Sequence, residues 1–325
     1  MGEPAGIGGE IALAAWRSLR SEASAAPFFL IDDPARLAAL SGGESAIAEI
    51  AAPQDAAACF QDRLPVLPLR LPKEAVPGQP DPANAEAVIG AIERAVALVQ
   101  GGEAGAVVTN PIHKQVLYSA GFEFPGHTEY LAHLAGGGAS SVMMLACPGL
   151  RVVPVTVHLP LKEVAGALTI EAIVHAGRVL NAALKRDLGI AAPRLAVAAL
   201  NPHAGESGAI GREEIEIIAP AVETLRGEGI EVWDPAPADT LFHAEARANY
   251  DAALCMYHDQ ALIPLKTVDF HSGVNVTLGL PFVRTSPDHG TAFDIAGQGK
   301  ADPRSLIAAL RMAGEMATRR QAADG

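Results

Sequence analysis

The chain has 325 residues, of which 50% are apolar, 19% charged and 5% aromatic, with a formal net charge of −13. That length exceeds what one hydrophobic core usually spans, roughly 250–300 residues, so two domains are expected. So acidic a chain lacks the basic face that a phosphate backbone demands, which excludes nucleic acid as a partner; no apolar run reaches the ~18 residues of a membrane span, which excludes a membrane one.

The first residues, Met1-Gly2-Glu3-Pro4-Ala5-Gly6-Ile7-Gly8-Gly9-Glu10, lead into an Ala-rich helical pattern. Glycines ahead of a helix expose N–H groups that can cradle an anion, or simply form a tight turn. Neither a secretion signal nor a myristoylation site is expected here, since Gly6 stands where the latter needs Ser or Thr. Apolar runs at residues 28–31, 106–109, 141–145, 152–157, 195–200 and 252–257 read as strands buried on both faces. Between them, residues 84–100, 170–188 and 213–227 carry helical periodicity, the first closed by Gly101-Gly102. This alternation predicts an α/β fold of mostly parallel sheets with flanking helices. Pro154 inside a strand run predicts an edge or a bulge. The Pro-rich residues 51–81 predict an irregular or weakly β connection. Residues 273–302 mix Gly, Asn, Thr, Arg, His and Asp with little period, and so long a stretch reads as a functional loop. Cys59, Cys147 and Cys255 form no CxxC pair and read as buried reduced thiols of a cytoplasmic protein.

Three of the ten histidines share a placement. His158 follows VVPVTV, His203 follows LAVAALNP and His258 follows AALCMY, so each stands at the carboxyl end of a predicted parallel strand. Ligands bind at that edge of open α/β sheets, and three imidazoles with an open position suit a catalytic divalent ion. The plainer alternative is three independent hydrogen-bonded histidines. Asp259 and Glu206 stand close enough in sequence to orient two of them. Arg284 offers a fork for phosphate and Lys266 a point charge, unless both are solvated surface cations. Gly126-His127-Thr128-Glu129, and Thr109-Asn110-Pro111 with Lys114, are further polar clusters that could equally be helix caps.

Taken in order, GEPAGIG, NPIHK, FPGHTEYLA, TVHLPL, NPHAGE, ADTLF, YHDQALIPLK and GVNVTLGLPFVRTSPDHGTAFDIAGQG resemble the 4-hydroxythreonine-4-phosphate dehydrogenase family over almost the whole chain. HGTAFDIAG is also similar to the adenosine-binding loop of isocitrate and isopropylmalate dehydrogenases. The resemblance implies their two-domain fold, with the active site in the interdomain cleft. Residues 1–130 together with 270–325 would form a discontinuous NAD-binding domain, and residues 131–269 a second domain with the metal ligands and dimer interface. A homodimer with its active site at the subunit boundary is implied, with no nucleic-acid or membrane partner.

Carried over by motif, His158, His203 and His258 would hold Zn, Mg or Co. His127, Thr128, Lys266, Asn275 and Arg284 would contact substrate, with Asp259 or Lys266 as candidate base. His289, Gly290, Thr291, Ala292, Asp294, Ile295 and Gly297 would line the site for NAD, with NADP as the variant. The implied reaction oxidises C3 of 4-phosphooxy-L-threonine and releases CO2, giving 3-amino-2-oxopropyl phosphate for pyridoxal 5′-phosphate synthesis. Paralogues acting on D-threonate or D-erythronate 4-phosphate, or on a cis-dihydrodiol carboxylate, keep the same histidines and loop. A three-His hydrolase or lyase is the alternative of another class, and it leaves HGTAFDIAG unexplained. Two departures stand out: the family has an apolar strand ahead of the first motif whereas this chain starts at that motif, so either the start is misplaced or the first strand is missing, and Gly9 stands where the family usually has proline.

Overall fold

The computed structural model describes residues 1–124, 126–136 and 141–324, so Pro125 of the FPGHTEYLA motif lies outside the described residues. The chain begins with α1 (Gly8–Leu19), β1 (Leu30–Asp32), α2 (Pro34–Ser41), β2 (Ile47–Glu49), α3 (Ala56–Cys59) and β3 (Leu64–Pro68). Helix α2 shows why such short elements hold. The Asp33 carboxylate accepts from the Ala35 and Arg36 N–H groups, Pro34 sits where a missing donor costs nothing, and Gly42 ends the helix at φ 83°. Next come α4 (Ala85–Gln100), β4 (Ala106–Val108), α5 (Lys114–Ser119) and α6 (His127–Ala135). The middle of the chain adds β5 (Val142–Cys147), β6 (Leu150–Thr156), α7 (Leu161–Ala167), α8 (Ile170–Arg186), β7 (Arg194–Ala198), α9 (Ala219–Gly227) and β8 (Glu231–Ala236). Last are α10 (Ala244–Arg247), β9 (Ala252–Tyr257), α11 (His258–Val268), β10 (Val274–Leu278), β11 (Val283–Pro287) and α12 (Arg304–Asp324).

Contacts group these into two compact units, Met1–Ser141 with Leu280–Thr318, and Val142–Gly279 with Arg319–Gly325. The motifs divide the chain after residues 130 and 269 instead. Unit 1 holds a parallel three-stranded sheet in the order β1-β3-β2, and a parallel pair of β4 with β11. Its helices close over Leu13, Trp16, Leu37, Leu64 and Val66 at one core and over Val88, Ile92, Leu117 and Leu131 at another. In unit 2 the strands run β10-β5-β6-β9-β7-β8. The β10-β5 and β5-β6 pairs are antiparallel, while β6, β9, β7 and β8 run parallel. Small residues such as Ala196, Ala198 and Ala253 share that core with Leu145, Val152 and Leu265. Asp187, fully buried past α8, is gripped by Arg186 and by Arg320, each at 2.7 Å.

Three expectations change. Residues 51–81 contain β3, the central strand of its sheet. Leu64, Val66 and Leu67 are buried, but Pro65 and Pro68 broke the alternation that would have revealed them. Pro154 lies within a strand flanked on both sides, not at a sheet edge. Its register is with Cys255 of β9, and β5 pairs only with Leu150 to Val152, so the residue without an N–H falls past that ladder. Finally, residues 273–302 are not one loop: they include β10 and β11, buried on both faces where polar side chains masked the pattern.

All three cysteines are free thiols, and burial pushes Cys147 up to about 11. Among the described residues no single helix is long and apolar enough to cross a membrane; α7 and α8 pass that test only together, bent by 90°.

Candidate functional site

In unit 2 the parallel order of β6, β9 and β7 sets three carboxyl ends side by side. Thr156 registers with Tyr257, so His158, two residues on, and His258, the next residue, come together with ring centroids 5.8 Å apart. His258 begins α11, and its Nδ1 is held by Asp259 Oδ1 at 2.7 Å. A carboxylate on one ring nitrogen fixes the imidazole and leaves Nε2 for a ligand. His158 is exposed and has a left-handed backbone, φ 53°.

His203 lies in the loop after β7, and that loop is the least regular backbone in unit 2. His203, Ala204, Gly205, Glu206 and Ser207 have φ of 51°, 52°, 76°, 42° and 57° in succession. Each non-glycine residue in that region costs on the order of 1–3 kcal/mol. Neighbouring side chains hold the turn. Glu214, 5% exposed, accepts from Leu200 N at 2.8 Å and Asn201 N at 2.7 Å. Among the described residues, those with positive φ that are not glycine are His158, His203, Ala204, Glu206, Ser207 and Ala292. Five of the six fall in the TVHLPL, NPHAGE and HGTAFDIAG segments, and Ser207 directly follows NPHAGE.

The donor set fits a divalent ion in kind: accessible imidazoles, two of them adjacent and one preoriented by a carboxylate. Among the described residues, however, no three His, Cys, Asp or Glu side chains are gathered into one metal-holding group. His203 is therefore not drawn together with the other two. Unit 2 also exposes large apolar side chains, with Leu161 71%, Phe270 69% and Ile263 65% accessible. Lys266, half-buried near the end of α11, places Nζ 5.5 Å from the Phe270 ring centre. Asn275 on β10 has a buried Oδ1 that accepts no hydrogen bond.

In unit 1, Arg284 on β11 is buried at 3% exposure and donates from Nη2 to Thr109 Oγ1 at 2.6 Å. Desolvation lowers its pKa to about 10, so it stays charged. The half-buried His127, first residue of α6, has its pKa pressed well below the imidazole range by burial, then by cations including Arg284 and Lys114. A neutral imidazole beside a buried guanidinium is a place where an anion gains two donors without meeting a carboxylate's charge. Thr128 follows, half-buried on the same turn.

The cofactor-motif residues occupy the loop after β11. His289 Nδ1 lies 3.0 Å from Gly290 O, Ala292 has φ 45° and Gly297 φ 76°. Asp294 and Gly290 are exposed; Thr291 and Ile295 are half-buried. The amino-terminal glycines pack behind this loop. Ile7 N donates to Thr291 O at 3.1 Å, and a Cβ at Gly6 would stand 2.9 Å from that same oxygen. Glu10 accepts from Gly297 N at 3.1 Å and Gly299 N at 3.2 Å. The segment that could have cradled an anion thus serves as the loop's support. Asn201, Glu214 and Glu10 had no place among the residues expected from sequence. Glu10 closes the glycine-rich motif, but Glu214 stands amid several acidic residues and carries no sequence signal.

Residues 24–313 match the family described as pyridoxal phosphate biosynthetic protein PdxA. A 4-hydroxythreonine-4-phosphate dehydrogenase of Paracoccus denitrificans is 58% identical over 324 residues, 98% of this chain and 97% of that protein. The crystal structure of the enzyme of that name from Klebsiella pneumoniae is similar with a TM-score of 0.87 at 40% identity, covering 98% of this chain and 96% of that one. A terephthalate 1,2-cis-dihydrodiol dehydrogenase from Burkholderia xenovorans is similar with a TM-score of 0.66 at 29% identity, covering 97% and 96%.

Proposed function

The chain belongs to the pyridoxal phosphate biosynthetic protein PdxA family, and on that footing we propose that it is a nicotinamide-dependent 4-hydroxythreonine-4-phosphate dehydrogenase. The proposed reaction oxidises C3 of 4-phosphooxy-L-threonine and releases CO2, yielding 3-amino-2-oxopropyl phosphate. One observation carries the reading: the strained backbone among the described residues falls within the metal and cofactor motifs or, at Ser207, directly after one. Strain persists where surrounding structure over-determines it, and such places cluster at functional sites.

When bound, NAD accepts the hydride removed from C3, and a divalent ion stabilises charge on the substrate oxygens. His158, His203 and His258 are the proposed ligands for Zn, Mg or Co. Arg284, steadied by Thr109, grips the phosphate with neutral His127 and Thr128 as further donors. Asn275 Oδ1 accepts from the substrate's amino or hydroxyl group. Of the two candidate bases, Asp259 is engaged in orienting His258, which leaves Lys266 Nζ to take the hydroxyl proton. His289, Gly290, Thr291, Ala292, Asp294, Ile295 and Gly297 form the cofactor loop, with Glu10 bracing it. The uncovered Leu161, Ile263 and Phe270 of unit 2 support a homodimer that covers these side chains. Free thiols suit a reducing compartment, and the cytoplasm is the proposed one.

The higher identity and TM-score toward the phosphothreonine enzyme than toward the dihydrodiol enzyme favour the first substrate. The test supplies purified protein, NAD and a divalent ion with 4-phosphooxy-L-threonine, D-threonate 4-phosphate, D-erythronate 4-phosphate and a cis-dihydrodiol carboxylate in turn. Reduced cofactor is followed by its near-ultraviolet absorbance. Preference for the first supports the assignment; preference for any other reassigns the substrate.

A further inference from the structure

We infer that Glu214 is a positioning residue for His203, the buried carboxylate of a clasp that fixes the left-handed segment on which this imidazole stands. The inference rests on the three-histidine reading above and concerns how one of those ligands is held.

The clasp touches the loop at its start, middle and end. At the start, Glu214 Oε1 accepts the N–H groups of Leu200 and Asn201 at 2.8 and 2.7 Å. Asn201 Nδ2 completes the link, donating to Glu214 Oε2 at 3.0 Å and to Glu213 Oε2 at 2.6 Å. In the middle, Gly205 lies so close that a Cβ there would stand 2.7 Å from Glu214 Oε2. At the far end, a Cβ on Gly211 would stand 2.2 Å from Asn201 Nδ2. The carboxylate itself projects from a π-helical turn, Glu214–Ile218, anchored by fully buried Ile218. Such turns widen a helix by one residue and recur at functional sites.

Physically, five successive left-handed residues have no intrinsic stability in an L-chain. A short loop of ordinary composition would relax to a right-handed turn and move its imidazole with it. Here the residues before the turn are hydrogen-bonded to one buried carboxylate through N–H donors, while Gly205 within the turn and Gly211 after it pack against that carboxylate and against Asn201. The hydrogen bonds of that group, and not the packing of His203, set where the imidazole stands, since His203 itself is exposed. A glutamine at 214 keeps the shape but turns a donor toward Asn201 Nδ2, so the clasp opens where Asn201 meets it.

The experiment titrates the full-length chain with Co2+, reading its visible absorption, in wild type, Glu214→Gln, His203→Ala and the double variant. Substrate-free thermal midpoint and NAD affinity are recorded for each. Glu214→Gln is expected to weaken Co2+ binding about 10- to 100-fold, the range for partners that orient a ligand, while NAD affinity stays within about 2-fold. In the His203→Ala background the same substitution should change Co2+ affinity by less than about 2-fold, since no imidazole is left to position. Equal weakening in both backgrounds, or none in either, overturns the clasp. If His203→Ala binds Co2+ as tightly as wild type, it is the three-histidine reading that fails. Gly211→Ala, which displaces Asn201 and leaves Glu214 in place, gives the same decision should Glu214→Gln not fold. Weaker Co2+ binding that depends on His203 supports the clasp, and unchanged binding overturns it.

Discussion

The Arg284 region of unit 1 and the His203 loop of unit 2 hold their proposed functional groups by opposite means. Arg284 sits on a regular strand, buried at 3% exposure, its guanidinium hydrogen-bonded to Thr109. Its cost is desolvation. His203 stands exposed on a left-handed turn, and its cost is backbone strain, held by Glu214 and Asn201. A charge that must grip one anion benefits from a dry, rigid strand, whereas an imidazole that must meet an ion needs access and pays in conformation instead. The two costs respond differently to mutation, pH and ligand.

The largest effect is expected at Arg284. Arg284→Met removes the proposed phosphate fork and should lower kcat/KM on the order of 10³-fold, as for loss of a buried charge-assisted contact of about 4 kcal/mol. Because a methionine no longer resists burial, the thermal midpoint should hold or rise. Steady-state kinetics beside calorimetry checks both; a large fall in stability would show that Arg284 is chiefly structural. Next comes Asp259→Asn, which weakens the hold on His258 Nδ1 and should reduce Zn2+ affinity about 10- to 100-fold by competition against a chromogenic chelator. Unchanged affinity would leave the 2.7 Å contact without a role in ligation.

A third comparison uses pH. The pKa of His127 is depressed in the folded chain, so the unfolded chain, with a value near ~6.5, takes up the proton first as pH falls. Its contribution to stability is complete above about pH 6.5 and declines below it, toward the folded-state pKa. His127→Asn should flatten this part of the curve of thermal midpoint against pH; a slope identical to wild type would assign it to other groups. The smallest effect is Ala204→Gly. Glycine accepts φ 52° without strain, so unfolding measurements should show about 1 kcal/mol of stabilisation. No gain would mean that the turn carries little strain at that residue.

How much of this was legible in the sequence differs between the same two regions. The strands before His158, His203 and His258 were readable as short apolar runs, because parallel strands buried on both faces carry that signature. Their parallel neighbours in unit 2 then set the carboxyl ends side by side. Strand β3 was hidden by Pro65 and Pro68, and β10 and β11 by the half-buried Asn275 and by Thr277, Arg284 and Thr285 at buried positions. A hydropathy pattern sees residue type and not partner, so a buried polar residue looks like loop. The histidine set is legible from strand ends and motif order together, but nothing in the residues announces a left-handed turn over 203–207 with a single glycine among its five positions. Nor does the sequence distinguish Glu214 from Glu213 and Glu216; only the hydrogen bonds to Leu200 and Asn201 do so. Glu10 shows the reverse case, a residue within a readable motif whose role as brace of Gly297 and Gly299 emerges only in three dimensions.

The central claim is that this chain oxidises a phosphorylated amino acid held by Arg284 and His127. Its most direct test compares NAD reduction on 4-phosphooxy-L-threonine with that on the same amino acid lacking the phosphate, under saturating divalent ion. The account predicts that kcat/KM for the phosphorylated substrate is higher by at least about 10²-fold, as loss of a buried charge-assisted contact requires. Equal rates on both, or no reduction of NAD with either, would contradict it.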